Sequence, residues 1–426
     1  MVHPAQRICC ADGYLFYAIS QTISRYNITS GEITKLWTAE PVSAIEKQKN
    51  LEHRAVVEIV VRGKYLVWIS EDKVLRVYNL ETSTLLSERE LVKRGCALFV
   101  EEEIIIVGDK FGDVYHYDLL LSDSNHGQDG KTQEQVAEKL PIVGHVSMLT
   151  SVLLTTSDST GKRHVVSADR DEHIRVSNYP DGYNIQSYCL GHTQFVSSLL
   201  IPSGTTTLVS AGGDEYLGFW DYPTGKQTRT LTMNEAVSAS REQGVGLAVL
   251  KLLEVPSIKG VAVLVEEVKK LFIYPLSEDS SEAIIIIDLL APALDMALHE
   301  SSLFVAYDTS KQDGVPNFAC FAIQDTSYTQ QEIPALNEEC GASVHQVTYT
   351  SHKADLMRKR TKAELEAIRL ASAQPRNKGE KRNSHGAAAG GGGGEEEEEE
   401  QDDELMAAIE ADKVKTANNK KAKLST

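Results

Sequence analysis

Ser167-Ala-Asp-Arg-Asp-Glu-His-Ile-Arg-Val-Ser177 and Ser210-Ala-Gly-Gly-Asp-Glu-Tyr-Leu-Gly-Phe-Trp220 are two copies of one pattern. Each follows a Gly-His pair, Gly144-His145 and Gly191-His192. The histidines lie 47 residues apart and the aspartates Asp171 and Asp214 lie 43 apart. A period of roughly 40–45 residues built from short strands marks the blade of a β-propeller, a small sheet that buries its faces only by stacking on its neighbours. The second copy ends in Trp220-Asp221, whereas the first has Ser177 in place of the tryptophan. The first copy also crowds Asp169, Arg170, Asp171, Glu172, His173 and Arg175 into one hairpin. A blade needs at most one of those charges, so the others require a separate explanation.

Working outward, strand-like runs come in pairs bounded by Gly, Asp, Asn and Ser turns. Residues 14–19 pair with 23–27, 65–70 with 74–78, and 104–108 with 113–118. The two motif blades occupy 144–180 and 191–226, followed by 261–265 with 271–275 and by 303–307 with 318–323. The reading is all-β, a seven-bladed WD-repeat β-propeller over residues 1–351, with either 7–11 or 344–349 completing the last blade. Beyond it, residues 352–373 alternate charge with Leu356, Leu365 and Ile368, and Thr361 and Glu364 form a capping pair. That pattern predicts a basic helix. Residues 374–426 contain poly-Gly and poly-Glu runs and a lysine-rich end. They offer nothing to bury, so they read as a disordered tail. The polar loop 121–138 is expected to be mobile.

The net charge of −18 is unevenly spread. From Lys353 onward there are 15 basic and 15 acidic residues, so residues 1–352 carry all of it. An acidic body repels phosphate, and nucleic-acid binding over most of its surface is excluded unless a basic patch or a partner supplies it. The basic run Arg358-Lys-Arg360, with Lys362, Arg369, Arg376, Lys378 and Lys381-Arg382, has nucleic-acid character. It reads equally as a nuclear-import signal or a solvated helix face. Six cysteines are scattered without CxxC spacing and no secretory leader opens the chain, which favours a reducing compartment. The longest apolar stretch, 283–298, is broken by Asp288, Pro292 and Asp295, so no membrane span is expected.

No nucleotide-binding glycine loop, nucleophile elbow or zinc-protease motif occurs, and the glycine run 390–394 follows no strand. No enzymatic activity, cofactor or metal is therefore expected. In a blade of this kind the Gly-His histidine reaches the turn aspartate and, through a Ser, the Trp indole. His192, Ser210, Asp214 and Trp220 fill those places in one blade, and His145, Ser167 and Asp171 in the other; all are read as structural. Arg170, Glu172, His173 and Arg175 have no such task. His173 and Arg175 alternate onto one face of a hairpin strand, and rim hairpins are where propellers bind partners, so these four are the candidate partner-binding residues.

The strings Asp169-Arg-Asp-Glu-His-Ile-Arg-Val-Ser177, Tyr179-Pro180, Leu190-Gly-His-Thr-Gln-Phe-Val-Ser-Ser198 and Ser210-Ala-Gly-Gly-Asp214 closely resemble one family over roughly residues 163–226. It is the WD-repeat, non-catalytic subunit of tRNA (guanine-N7-)-methyltransferase. The resemblance implies a nuclear heterodimer in which a separate Rossmann-fold subunit binds S-adenosylmethionine and methylates a variable-loop guanosine of tRNA. The propeller then docks on and stabilises that subunit, and tRNA contact is indirect, with the basic tail a candidate route. It also implies that the hairpin makes the intersubunit salt bridges, with Arg175 a principal contact beside Glu172 and His173. The competing reading is a general WD-repeat scaffold or substrate-receptor adaptor, which an affinity pulldown distinguishes.

Overall fold

The computed structural model describes residues 5–39, 54–120, 140–157, 160–233, 237, 247–277, 283–309, 314–324 and 327–340. The chain divides into a unit Met1–Arg360 and a second unit Thr361–Thr426, and all described residues belong to the first. The expected helix over 352–373, the tail 374–426 and the loop 121–138 lie outside the described residues.

Seven four-stranded antiparallel sheets follow one another along the chain, each made of four consecutive strands. Blade one comprises β1 (Arg7–Ala11), β2 (Tyr14–Ile19), β3 (Thr22–Asn27) and β4 (Ile33–Thr38); blade two comprises β5 (Val56–Arg62), β6 (Tyr65–Ser70), β7 (Val74–Asn79) and β8 (Thr84–Glu90). Blade three comprises β9 (Gly95–Glu101), β10 (Ile104–Asp109), β11 (Asp113–Asp118) and β12 (Val143–Gly144). Blade four comprises β13 (Leu149–Thr156), β14 (Arg163–Asp169), β15 (Ile174–Asn178) and β16 (Ile185–Cys189). Blade five comprises β17 (Val196–Leu200), β18 (Thr207–Gly212), β19 (Tyr216–Asp221) and β20 (Lys226–Thr232). Blades six and seven are β21–β24 (residues 249–288) and β25–β28 (residues 293–331). The Gly144-His145 pair thus ends blade three instead of opening blade four. The outer strands β16 and β20 carry the two motif blades past the boundaries read from sequence.

The sequence explains this arrangement through its central strands. Their runs of Val, Ile, Leu and Phe are apolar on both faces, for example Gly260-Val-Ala-Val-Leu-Val265, which is buried at every residue. Such strands must be covered on both sides. The outermost strands alternate instead, as in Lys226–Thr232, because one face meets water. Seven large apolar clusters result among the described residues, one at each seam between neighbouring blades. Polar latches also join inner strands across three consecutive seams. Cys96 Sγ donates to Leu149 O, Thr150 Oγ1 to Val196 O and Ser197 Oγ to Val249 O.

The ring closes without exchanging a strand. Residues 7–11 form the innermost strand of blade one, not a member of the last blade, and 344–349 lie outside the described residues. Asp295 on β25 (Ala293–His299) spans the seam by accepting Ile8 N at 2.8 Å and Lys251 Nζ at 2.7 Å. Arg7 Nε meets Glu58 Oε2 at 3.2 Å on the other flank of β1. The helix α1 (Pro334–Cys340) then seals the joint. Ile333 and Leu336 pack with Ala5 and Ile8, while Asn337 bonds both the N–H and the carbonyl of Phe318.

Candidate docking site on the fourth blade

Blade five supplies the reference geometry. His192 Nδ1 lies 2.7 Å from Asp214 Oδ2, and its Nε2 lies 2.7 Å from Ser210 Oγ. Trp220 Nε1 donates to the same Ser210 oxygen at 2.7 Å. Asp214 also accepts from Thr193 Oγ1 at 2.6 Å. Burial pushes the Asp214 carboxyl up, but the His192 and Thr193 hydrogen bonds outweigh it and hold the group below its ordinary value. Gly218 stands across the sheet from Ser210, and a Cβ there would come within 2.8 Å of Trp220 Nε1. The indole needs that glycine. All four residues expected here from the sequence meet in one buried chain.

Blade four departs from this in two ways. His145 reaches Ser167 Oγ at 2.7 Å as expected, but its Nδ1 lies 2.9 Å from Asp169 Oδ2, not from Asp171. The assignment of Asp171 as the structural aspartate is therefore corrected to Asp169. The cause lies two residues upstream of the turn. In blade five the matching position is Gly212, whose Cβ would sit 1.8 Å from Phe195 O, so the carboxylate must come from farther along the hairpin. In blade four the carboxylate is already present at the end of β14. Its other oxygen accepts the N–H groups of Asp171 and His173 at 2.9 and 3.0 Å and thereby folds the turn. Glu172 completes that turn with φ at 64°, in the left-handed region.

The second departure concerns Arg175. It stands opposite Ser167, where blade five has Gly218, and Ser177 stands where blade five has Trp220. Small and large have exchanged places. Arg175 fills the room the indole would take, and its Nε donates to Ser177 Oγ at 2.8 Å. One terminal nitrogen donates to Gly144 O on blade three at 2.9 Å, the other to Gly182 O at 2.8 Å. All three acceptors are neutral, and no ion pair of Arg175 exists among the described residues. Arg76, at the equivalent place in blade two, is by contrast neutralised by Asp72 at 2.8 Å and Glu88 at 2.6 Å.

The other candidates are distributed around this core. Arg170 and Glu172 sit half-buried at the turn, each engaged within the chain. The His173 ring is half exposed, with Nδ1 3.6 Å from Asp169 Oδ1. The hairpin thus brings the four expected residues to one corner, with Arg175 tied into the fold more firmly than a free contact residue would be. The sequence signal for this was the pair of coupled changes, Gly218 to Arg175 and Trp220 to Ser177. No cluster of three or more His, Cys, Asp or Glu among the described residues is placed to hold a metal. No helix among them is long and apolar enough to cross a membrane.

The Kluyveromyces lactis protein named tRNA (guanine-N(7)-)-methyltransferase non-catalytic subunit TRM82 is 32% identical over 242 residues, 51% of this chain and 53% of that protein. The Saccharomyces cerevisiae protein of the same name is 32% identical over 285 residues, 61% of each chain. The Danio rerio protein, named non-catalytic subunit wdr4, is 32% identical over 62% of this chain and 60% of its own. The chain thus spans between about half and three-fifths of the length of these curated relatives. Among solved structures, the computationally designed Ika8 protein aligns with a TM-score of 0.53 at 14% identity, covering 78% of this chain and 87% of that one. A chain of the mitotic checkpoint complex aligns with a TM-score of 0.57 at 17% identity, covering 75% and 90%. At such identities the two structures show the propeller fold alone. The family described as tRNA methyltransferase TRM82 WD40 domain matches residues 20–141 and 123–320, nearly the whole ring, and the chain belongs to that family.

Proposed function

We propose that this chain is the non-catalytic WD-repeat subunit of a tRNA (guanine-N7-)-methyltransferase heterodimer. It docks through the blade-four hairpin on a separate Rossmann-fold, S-adenosylmethionine-binding subunit and keeps that subunit competent to methylate the variable-loop guanosine of tRNA. The observation that carries the reading is Arg175, a guanidinium held at the outer seam by three neutral acceptors, in a chain whose relatives are named non-catalytic subunits of this enzyme. Its charge lacks a partner carboxylate among the described residues, and a bidentate guanidinium is well suited to take one from another protein.

The chain contributes position and electrostatics in this reading, not acid, base or nucleophile. The acidic body leaves tRNA binding to the partner and to the basic stretch beyond residue 352. That same stretch supports a nuclear location. The test is co-expression with candidate methyltransferase subunits. The expected result is a one-to-one complex whose N7-methylation of tRNA far exceeds that of the catalytic subunit alone. Failure to co-purify, with no gain in methylation, refutes it.

A further inference from the structure

Six of the eleven large apolar side chains exposed among the described residues lie between Leu140 and Leu190, on blade four or in the segments that flank it. Val146 is 78% exposed, Tyr183 74%, Leu190 62% and Tyr188 42%. Single exposed apolar residues are ordinary on a protein surface, whereas a cluster marks an interaction site.

Arg175 gathers this cluster. Its terminal nitrogens hold Gly144 O and Gly182 O, and Val146 and Tyr183 follow those carbonyls two residues and one residue further along the chain. Gly182 lies flush against blade three, where a Cβ would come within 2.3 Å of Ile142 O, so the loop carrying Tyr183 cannot stand off from the seam. Tyr188 is directly across the β15–β16 pair from Arg175, and opposed residues share a face. Leu190 leaves the same strand one residue past its end. A rim of aromatic and aliphatic groups around a half-buried arginine has the composition that dominates binding energy at protein interfaces. The guanidinium at its centre, without a carboxylate partner among the described residues, selects an acidic complement.

We propose that Val146, Tyr183, Tyr188 and Leu190 form an apolar docking rim, positioned by Arg175, for an apolar patch with one carboxylate on the catalytic methyltransferase subunit. This deepens the function proposed above and rests on it. The affinity comes from the rim, and Arg175 acts twice, as a clamp on two loops and as the central charge.

The test is the dissociation constant of the full chain for the catalytic subunit, measured by calorimetry. Val146→Ser, Tyr183→Ser and Leu190→Ser keep Arg175 and remove only exposed surface. Each is expected to weaken binding about 5–30-fold, and the triple variant more than about 100-fold. The unfolding midpoint should not move, and Leu86→Ser, on an exposed strand of blade two, should bind within about twofold of wild type. Arg175→Ala should lose binding and speed hydrogen exchange at the Val146 and Tyr183 amides, and Arg175→Lys should recover part of the affinity. A triple variant that binds like wild type overturns the rim. Unchanged exchange in Arg175→Ala overturns the clamp. If wild type itself binds no catalytic subunit, the proposed function fails and the inference with it, a result distinct from the other two.

Discussion

Replacing Asp169 and Asp171 one at a time separates the arrangement in blade four from the one that sequence alignment with blade five suggests. Asp169 is 3% exposed and accepts three hydrogen bonds: His145 Nδ1 at 2.9 Å and the amides of Asp171 and His173 at 2.9 and 3.0 Å. Bonds to an ionised acceptor contribute about 1.5–3 kcal/mol each, and the buried imidazole is left without its partner when the carboxylate goes. The turn amides lie near the surface, so water re-satisfies part of the loss. Asp169→Ala should then cost about 3–5 kcal/mol, in line with other broken buried pairs. With a urea slope of about 3 kcal/mol per molar, the midpoint falls by about 1–1.7 M. Asp171 contributes only its backbone amide to this network, so Asp171→Ala should stay within about 0.5 kcal/mol. Trp220, buried at the seam between blades four and five, provides the fluorescence signal for urea titration. Equal shifts for the two variants, or a larger one for Asp171→Ala, would refute the assignment.

Three further outcomes are expected. Arg175→Gly should cost about 2–3 kcal/mol, and adding Ser177→Trp should recover at least about 1 kcal/mol as the indole reaches Ser167; a double variant no more stable than the single one contradicts the reciprocal exchange, with urea midpoints as the readout. Burial pushes the Asp109 carboxyl up despite hydrogen bonds from the Asp113 and Phe111 amides, and Asp109 Oδ2 has no hydrogen-bond partner among the described residues. Its stabilising contribution is present below the ordinary carboxylate range and lost as pH rises through the folded value, so Asp109→Asn should raise stability at neutral pH and flatten that decline in a midpoint-against-pH series. Asp295→Ala should free Ile8 N and Lys251 together and cost about 3 kcal/mol, with amide exchange rising first in β1 and β25; unchanged protection of Ile8 would dismiss its part in closure.

The ring was legible in the sequence because its signals are local. The Gly-His pairs, the serines and Trp220 fix blade five completely, and paired strand runs located both central strands of the other blades. The aspartate of blade four was misread because matching the copies residue by residue pairs Asp171 with Asp214. What decides between Asp169 and Asp171 is backbone proximity, the closeness of Gly212 to Phe195 O, and no pattern of residue types records that. Closure was hidden for a related reason. Ile8, Asp295 and Asn337 are hundreds of residues apart or lie in featureless stretches, and only the three-dimensional arrangement brings them to one seam. The four candidate binding residues share the hairpin between β14 and β15, as the sequence pattern implied. That Arg175 is spent largely on Gly144, Ser177 and Gly182 could have been suspected from the exchange of a glycine and a tryptophan for an arginine and a serine.

Because each blade is contiguous, blade one is finished early in synthesis while its partner across the seam is made last. At roughly 5–20 residues per second, the 329 residues separating Ile8 from Asn337 take the ribosome on the order of 16–66 s. For that interval Ala5, Ile8, Leu15 and Tyr17 present a greasy face with nothing to cover it, a standing invitation to chaperones and to misassembly between nascent chains. Lesions in blade seven or α1 should therefore lower the yield of soluble protein more than they lower the stability of molecules that do mature.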